Sequence, residues 1–252
     1  MKKLAISFLG TLLLSSCAHY YYVPNVQNVP LFREKNEYRF SAFYGDGDKS
    51  SSGEIQVAYS PTSNLGIMAN YISASGGNST GKNSASGSCL EGALGYFKPL
   101  GNAAVFEIYG GLGGGSQNHK YYSSFTNQSY GSADISFVKV FIQPSFGMTF
   151  NAFDVAFSTR LCSMSFTDVK NNTTDGYESR VLNDIGVKNH AFIEPAITLR
   201  GGWKNVKFQV QGLISADLTN PVMYIGEGYH FSAGMYFTIA NRYKTSNINK
   251  SK

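Results

Sequence analysis

From Glu37 to about residue 240, apolar side chains recur at every second position, the period of a strand with one apolar face. The segment EYRFSAFY (37–44) sets Tyr38, Phe40, Ala42 and Tyr44 against Arg39, Ser41 and Phe43. Residues 53–60 set Ile55, Val57 and Tyr59 against Glu54, Gln56 and Ser60. The pattern returns over 64–73, 87–98, 103–116, 132–150, 153–166, 188–200, 204–215 and 227–239, which makes ten predicted strands. No amphipathic helix of useful length is expected anywhere in the chain.

The connections sharpen this picture. Strands two and three, four and five, six and seven, and eight and nine are joined by tight turns: SPTSN, PLGN, Asn151-Ala152 and GGWKN. The remaining connections are long and polar, and short and long alternate along all ten strands. A transmembrane β-barrel has this rhythm, with short turns on the periplasmic side and longer loops outside. An even strand count returns both ends of the barrel to the short-turn side. The aromatic nearest that side on the apolar face is Tyr38, Tyr59, Tyr96, Phe106, Phe150, Phe153 or Phe237 in seven strands, as in an interfacial girdle.

Composition agrees. Only 15% of the 252 residues are charged while 14% are aromatic, and the mean hydropathy of −0.17 is too low for a bundle of membrane helices. A water-facing strand surface would carry many Lys and Glu. Here the polar faces carry Ser, Gly, Gln and about one charge per strand. Three cysteines rule out a disulfide framework and a four-thiolate zinc site. Parity alone does not say which face is outside.

The N-terminal residues read as a targeting segment. Lys2 and Lys3 precede an apolar run from Leu4 to Leu14, too short to span a bilayer. Leu14-Ser15-Ser16-Cys17 resembles a bacterial lipobox, so residues 1–17 are expected to be a lipoprotein signal ending at a lipidated Cys17. Loss of Lys2 and Lys3 lowers the formal charge from +5 to +3, which is not the balance of a nucleic-acid binder. Residues 18–36 are expected to form an extended periplasmic tether, reaching at most ~65 Å. The barrel occupies 37–240, and 241–252 form a basic polar tail.

By these features the chain resembles the small Gram-negative outer-membrane β-barrel proteins, in a lipoprotein variant. The resemblance rests on the strand architecture of 37–240 and on the lipobox. It implies an all-β, antiparallel, up-and-down transmembrane barrel in the outer membrane, most simply of ten strands, with eight or twelve as alternatives. Both barrel ends then face the periplasm, and Cys17 is anchored in the inner leaflet. Phe237 is followed by the basic tail, whereas the family's last strand usually ends the chain on an aromatic. Pro144 and Pro195 lie inside strands six and eight, where bulges are expected. Strand six, at about twice the length of a span, should project beyond the bilayer.

Little chemistry stands out. The inward faces gather Arg39, Glu91, Glu107, Lys139, Arg160, Glu194, Arg200 and Lys207, which should pair across a filled lumen because an unpaired buried charge is costly. The best catalytic candidates are His230 and Ser232, one strand period apart. A His-x-Ser pair is similar to that of the membrane-embedded lipid A deacylases, but no carboxylate follows Ser232. Glu227 would face away from it. His19, His119, His190 and His230 lack metal-ligand spacing, so no metal and no cofactor are expected. Gly110 to Gly115, broken by Leu112, reads as a thin stretch of wall making room for interior side chains. Cys89 and Cys162 face inward on strands that are not neighbours, so only a flattened barrel would bridge them. The expected function is non-enzymatic, structural or surface-interacting. Its partners are outer-membrane lipid and, through loops 73–87, 116–131 and 167–187, a surface glycan or protein. Alternatives are a lipid-modifying enzyme and a tethered, lipocalin-like binder whose apolar faces would point inward.

Overall fold

Apart from one two-residue strand, each strand of the computed structural model pairs antiparallel with the next, and the last returns to the first. The structure describes residues 20–77, 83–123, 126, 128–219 and 225–244. Strands β1 (Tyr38–Gly47), β2 (Ser50–Tyr59), β3 (Leu65–Gly77), β4 (Ser84–Leu100) and β5 (Ala104–Ser123) are followed by β6 (Gln128–Thr149) and β7 (Phe153–Asn171). A helix, α1 (Gly176–Val187), precedes β8 (Asn189–Gly202), β9 (Val206–Ile214), the two-residue β10 (Ala216–Asp217), β11 (Tyr229–Ile239) and a short α2 (Asn241–Lys244). β11 closes the ring, pairing with β1 from Tyr38↔Ile239 to Gly47↔His230 and with β9 from Tyr229↔Ile214 to Phe237↔Val206. β10 continues the edge of β8 beyond β9, so the wall is a closed antiparallel barrel of ten strands.

The two faces are clearly separated. Outward positions of the band carry Phe40, Ile55, Leu90, Leu112, Val140, Ile197, Ile214 and Phe231, all exposed, with Leu112 at 68%. Tyr38 and Tyr59 stack on each other at the short-turn end with centroids 4.5 Å apart. Inward positions carry Arg39, Glu54, Glu91, Glu107, Lys139, Asp154, Arg160, Glu194, Arg200 and Lys207, all buried. Polar is inside and apolar outside, which overturns the lipocalin-like alternative.

At the short-turn end the strands begin and stop within two residues of expectation. At the other end they run on. β4, β5, β6 and β7 reach 17, 20, 22 and 19 residues, so much of the expected loops 73–87 and 116–131 and the start of 167–187 is paired strand. Beyond the apolar band both faces of a hairpin meet polar surroundings, so the ladder persists while the apolar period fades. The wall is uneven as a result, since β1, β2, β9 and β11 have only 10, 10, 9 and 11 residues.

The expected bulges at the prolines are absent. The β6–β7 ladder lapses at Gln143 and Pro144 and resumes at Ser145↔Ser158 in the same register. Pro195 stays paired with Thr159, while β8–β9 pairing begins only at Ala196↔Leu213. A missing N–H removes one ladder bond but adds no residue, so the register is unchanged. The actual shifts lie between Tyr121 and Tyr122, beside Gly131 at φ 142°, and between Ser136 and Phe137.

Two further differences concern segments read as loop or linker. Residues 176–187 fold as α1, with Asp175 as N-cap accepting from Tyr177 N and Glu178 N at 2.9 Å. Glu178, Val181, Leu182 and Ile185 lie at i, i+3, i+4 and i+7 and are buried. Val181, Leu182 and Ile185 pack over the long-loop end in one cluster with Phe166, Phe192, Tyr21 and Ile225. Residues 20–36, expected as a tether outside the barrel, run through its lumen. Tyr21, Tyr22 and Asn25 to Phe32 are all buried.

Candidate functional site

The lumen wall treats the N-terminal segment as an extra strand, but pairs with it through side chains. Successive backbone groups from Val26 to Glu34 are met in turn. Val26 N donates to both Glu54 carboxylate oxygens (3.1 and 3.0 Å), and Val26 O accepts from Gln56 (2.7 Å). Gln27 N donates to Gln211 Oε1 (2.7 Å) while Gln211 Nε2 donates to Gln27 O (3.0 Å). Asn28 O accepts from Gln143 (2.8 Å), Val29 O from Arg200 (2.6 Å), and Pro30 O from Arg39 Nε (3.0 Å) and the Tyr236 hydroxyl (2.8 Å). Leu31 N and Phe32 N both donate to Glu107, at 3.0 and 2.9 Å. Arg33 N and Glu34 N both donate to Glu37 Oε1 at 2.9 Å. Pro24 and Pro30 have no N–H to satisfy, which suits a segment buried without a strand partner.

A charge cluster at mid-height surrounds Asn25. Its amide nitrogen donates to Glu91 (2.9 Å), and its amide oxygen accepts from Lys139 Nζ (3.1 Å) and Arg160 Nη1 (2.6 Å). Lys139 also pairs directly with Glu91, and Arg160 lies 3.9 Å from Glu91 and 3.8 Å from Glu194. The Tyr22 hydroxyl donates to Glu194 (2.7 Å). Towards the short turns, Lys207 pairs with Asp154 (2.5 Å) and Arg200 donates to Gln209 (2.6 Å) beneath the Tyr236 ring. Arg39 and Arg242 both pair with Glu37.

All eight interior charges named from the sequence therefore line one lumen, and Glu37, Glu54, Asp154 and Glu227 join them. Glu91, Lys139, Arg160 and Glu194 meet one another across it. Arg39, Glu107 and Arg200 hold the N-terminal segment instead. The five basic and five acidic inward wall residues balance, and the segment from Ala18 to Phe32 contains no Asp, Glu, Lys or Arg. A solvated linker seldom has that composition, and it is the clue to the segment's location that sequence reasoning passed over.

The catalytic candidates are both buried on the inward face. His230 turns Nε2 towards Ser52 Oγ at 3.3 Å and Glu54 Oε1 at 3.6 Å, across the β1 wall at Gly45, where any Cβ would collide with the imidazole. Its neighbour is thus Ser52, not Ser232, and both candidates face the filled lumen rather than the apolar outer band. Glu227 precedes β11 and does not follow its parity. It is buried and accepts from Lys49 N, Ser50 N and Ser50 Oγ. His190 Nδ1 lies 3.7 Å from Asp217, and Cys89 and Cys162 are free and buried, with β5 and β6 between their strands. Cys17 and His19 lie outside the described residues.

Above the segment, at the long-loop end, a cavity of about 930 Å³ is lined by Tyr20, Tyr22, Lys49, Ser86, Gln117, Tyr122, Tyr130 and Glu178, among others. Tyr121 is fully buried and stacked on Tyr130, and the aromatic rings of β5 and β6 that line the cavity are His119, Tyr122, Tyr130 and Phe137.

No family model matches the chain, and no curated protein matches it. Among solved structures it is similar to the translocator domain of autotransporter NalP from Neisseria meningitidis (8% identity, TM-score 0.42, covering 80% of this chain and 87% of that one). It is similar also to the KdgM porin (10%, 0.39, 80% and 99%). A third is the N-terminal β-barrel domain of Pseudomonas aeruginosa OprF (9%, 0.35, 82% and 99%). The neighbours are Gram-negative outer-membrane β-barrel proteins.

Proposed function

We propose that the chain is an outer-membrane β-barrel lipoprotein that seals its own lumen and works through what its long-loop end presents, as a structural or surface-interaction protein. The observation that carries this reading is the occupied lumen. Residues 20–36 run through the lumen, with Tyr21, Tyr22 and Asn25 to Phe32 buried against its charged wall, which speaks against a general pore. Membrane residence is supported by the outward band, where ten strands expose Tyr, Phe, Leu, Ile, Val and Met, with the charged Lys98 at its short-turn rim. Such a band in water would be a large aggregation surface, and in a bilayer it is solvated. The short turns then face the periplasm and the tall β4–β7 hairpins with α1 face the outside. The cavity among Tyr122, Tyr130, Ser86 and Gln117 suits a polar ligand such as a surface glycan or a partner's loop, with aromatic rings for stacking and hydroxyls and amides for hydrogen bonds.

Planar-bilayer recording on the full chain tests the reading. Purified protein that inserts, as judged by a faster-migrating band before boiling, is expected to give no steady conductance steps. Stable ion-conducting steps from the intact chain would show an open lumen and overturn it.

A further inference from the structure

The lumen segment has a direction, and it runs opposite to that of a tether entering from the periplasm. At its first described residue the Tyr20 hydroxyl donates to Asp48 (2.7 Å), in the connection between β1 and β2 at the long-loop end. Tyr21 donates to Glu178 of α1 (2.8 Å), and its backbone N donates to Ile225 O (2.7 Å). At the far end Arg33 donates to Gly101 O (2.8 Å) in the β4–β5 turn, and Asn36 N donates to Ser60 O (2.6 Å) in the β2–β3 turn. Between these points the wall contacts advance without doubling back, through Glu91 and Glu54, then Gln211 and Gln143, then Arg200, Glu107 and Glu37. The segment crosses the barrel once. Tyr20, the first described residue, therefore lies at the long-loop end.

Cys17 is three residues before Tyr20, a reach of roughly 11 Å for a fully extended chain. The apolar band of an outer-membrane barrel is about 25 Å tall. A cysteine tied to Tyr20 cannot reach the opposite leaflet while residues 20–36 fill the lumen. The wall beside Tyr20 is also the low one. β1 and β2 stop at Gly47 and Ser50, so the short path from Tyr20 to lipid passes over that rim.

We propose that the mature N terminus is delivered through the lumen to the outer face, and that the acyl group of Cys17 sits in the outer leaflet. This rests on the orientation under Proposed function and replaces the inner-leaflet anchor expected from sequence. The internal segment and the anchor then act together. One end of the segment is covalently β1 at the periplasmic side, the other is held by lipid outside, and the lumen cannot empty by sliding in either direction.

Accessibility of an introduced cysteine on intact cells tests this, with a membrane-impermeant maleimide and three variants that each keep the heat-modifiable band. His19→Cys reports the N terminus, Ser63→Cys the β2–β3 turn and Thr174→Cys the approach to α1. The native Cys89 and Cys162 are buried and serve as background. His19→Cys and Thr174→Cys are expected to label at least ten-fold more than Ser63→Cys until the outer membrane is permeabilised. If Thr174→Cys labels on intact cells and His19→Cys only after permeabilisation, the threading is wrong and the orientation stands. If Ser63→Cys labels on intact cells, the orientation itself fails. Mass spectrometry of the N-terminal peptide is expected to show acyl chains on Cys17, and an unmodified peptide would remove the anchor.

Discussion

Leu31 has φ 51°, in the left-handed region that a bulky side chain rarely occupies. The strain has a visible return. Turning the backbone there points two successive N–H groups, from Leu31 and Phe32, at the one carboxylate of Glu107. Charge-assisted bonds of this kind are about twice as strong as neutral ones. Glu107→Ala would leave two buried donors without an acceptor, at about 1–3 kcal/mol each. The expected result is a lower thermal midpoint and faster proteolysis within residues 20–36, with Glu107→Gln intermediate because its amide keeps one acceptor oxygen. Unchanged protection of the segment in Glu107→Ala would show that Glu107 does not seat it. At this scale the inward charges were legible, because alternation around Phe40, Leu90 or Phe106 assigns Arg39, Glu91 and Glu107 to the other face. Their partner was not, because Asn25 to Phe32 lie in a lumen and obey no period of two.

Among the elements, the wall was legible and its outer additions were not. Strands within the apolar band turn one face outward and the other to the polar lumen, which imposes the alternation. The upper halves of β5 and β6 and helix α1 have no such constraint. The i, i+3, i+4, i+7 pattern of α1 was present but confined to 12 residues among polar ones. Asp175→Ala, which removes the N-cap, is expected to cost about 1 kcal/mol locally. Hydrogen exchange should quicken over 177–182 and stay unchanged in β1, β2 and β11; equal acceleration everywhere would mean α1 is integral to the barrel's own stability. A second test lies in the thin stretch of β5. At Gly113 a Cβ would stand 2.8 Å from Glu91 Cγ and 2.9 Å from Leu90 O, and at Gly111 it would collide with Phe141. Gly113→Val should therefore displace Glu91 from Lys139 and Asn25 and reduce the yield of heat-modifiable barrel more than Gly110→Val. Gly110 points outward, where a Cβ meets nothing within 4 Å. Equal yields would show that interior space is not what those glycines provide.

For the molecule as a whole, the decisive matter is whether the lumen segment is a part of the core or an occupant that can leave. The wall's charged groups find their hydrogen-bond partners only with the segment in place. Removing the segment would strip Glu107 of both its backbone donors, Glu54 of Val26 N, and Arg160 and Lys139 of the Asn25 oxygen they share. Water could refill those positions, but the apolar cluster of Tyr21, Tyr22 and α1 at the long-loop mouth would be opened as well. The segment should behave as core. Lys35 allows a test without a mutation, since it is exposed in the tight turn between the segment and β1. Cutting after Lys35 with a lysine-specific protease severs the only covalent link from the segment to the wall. The nicked barrel is expected to keep the N-terminal peptide bound through detergent exchange, to migrate as the compact unboiled band, and to release the peptide only on heating. It should stay silent in a planar bilayer. Loss of the peptide at room temperature, with conductance appearing in step, would make the segment a removable gate and the barrel a channel held shut by its own N terminus.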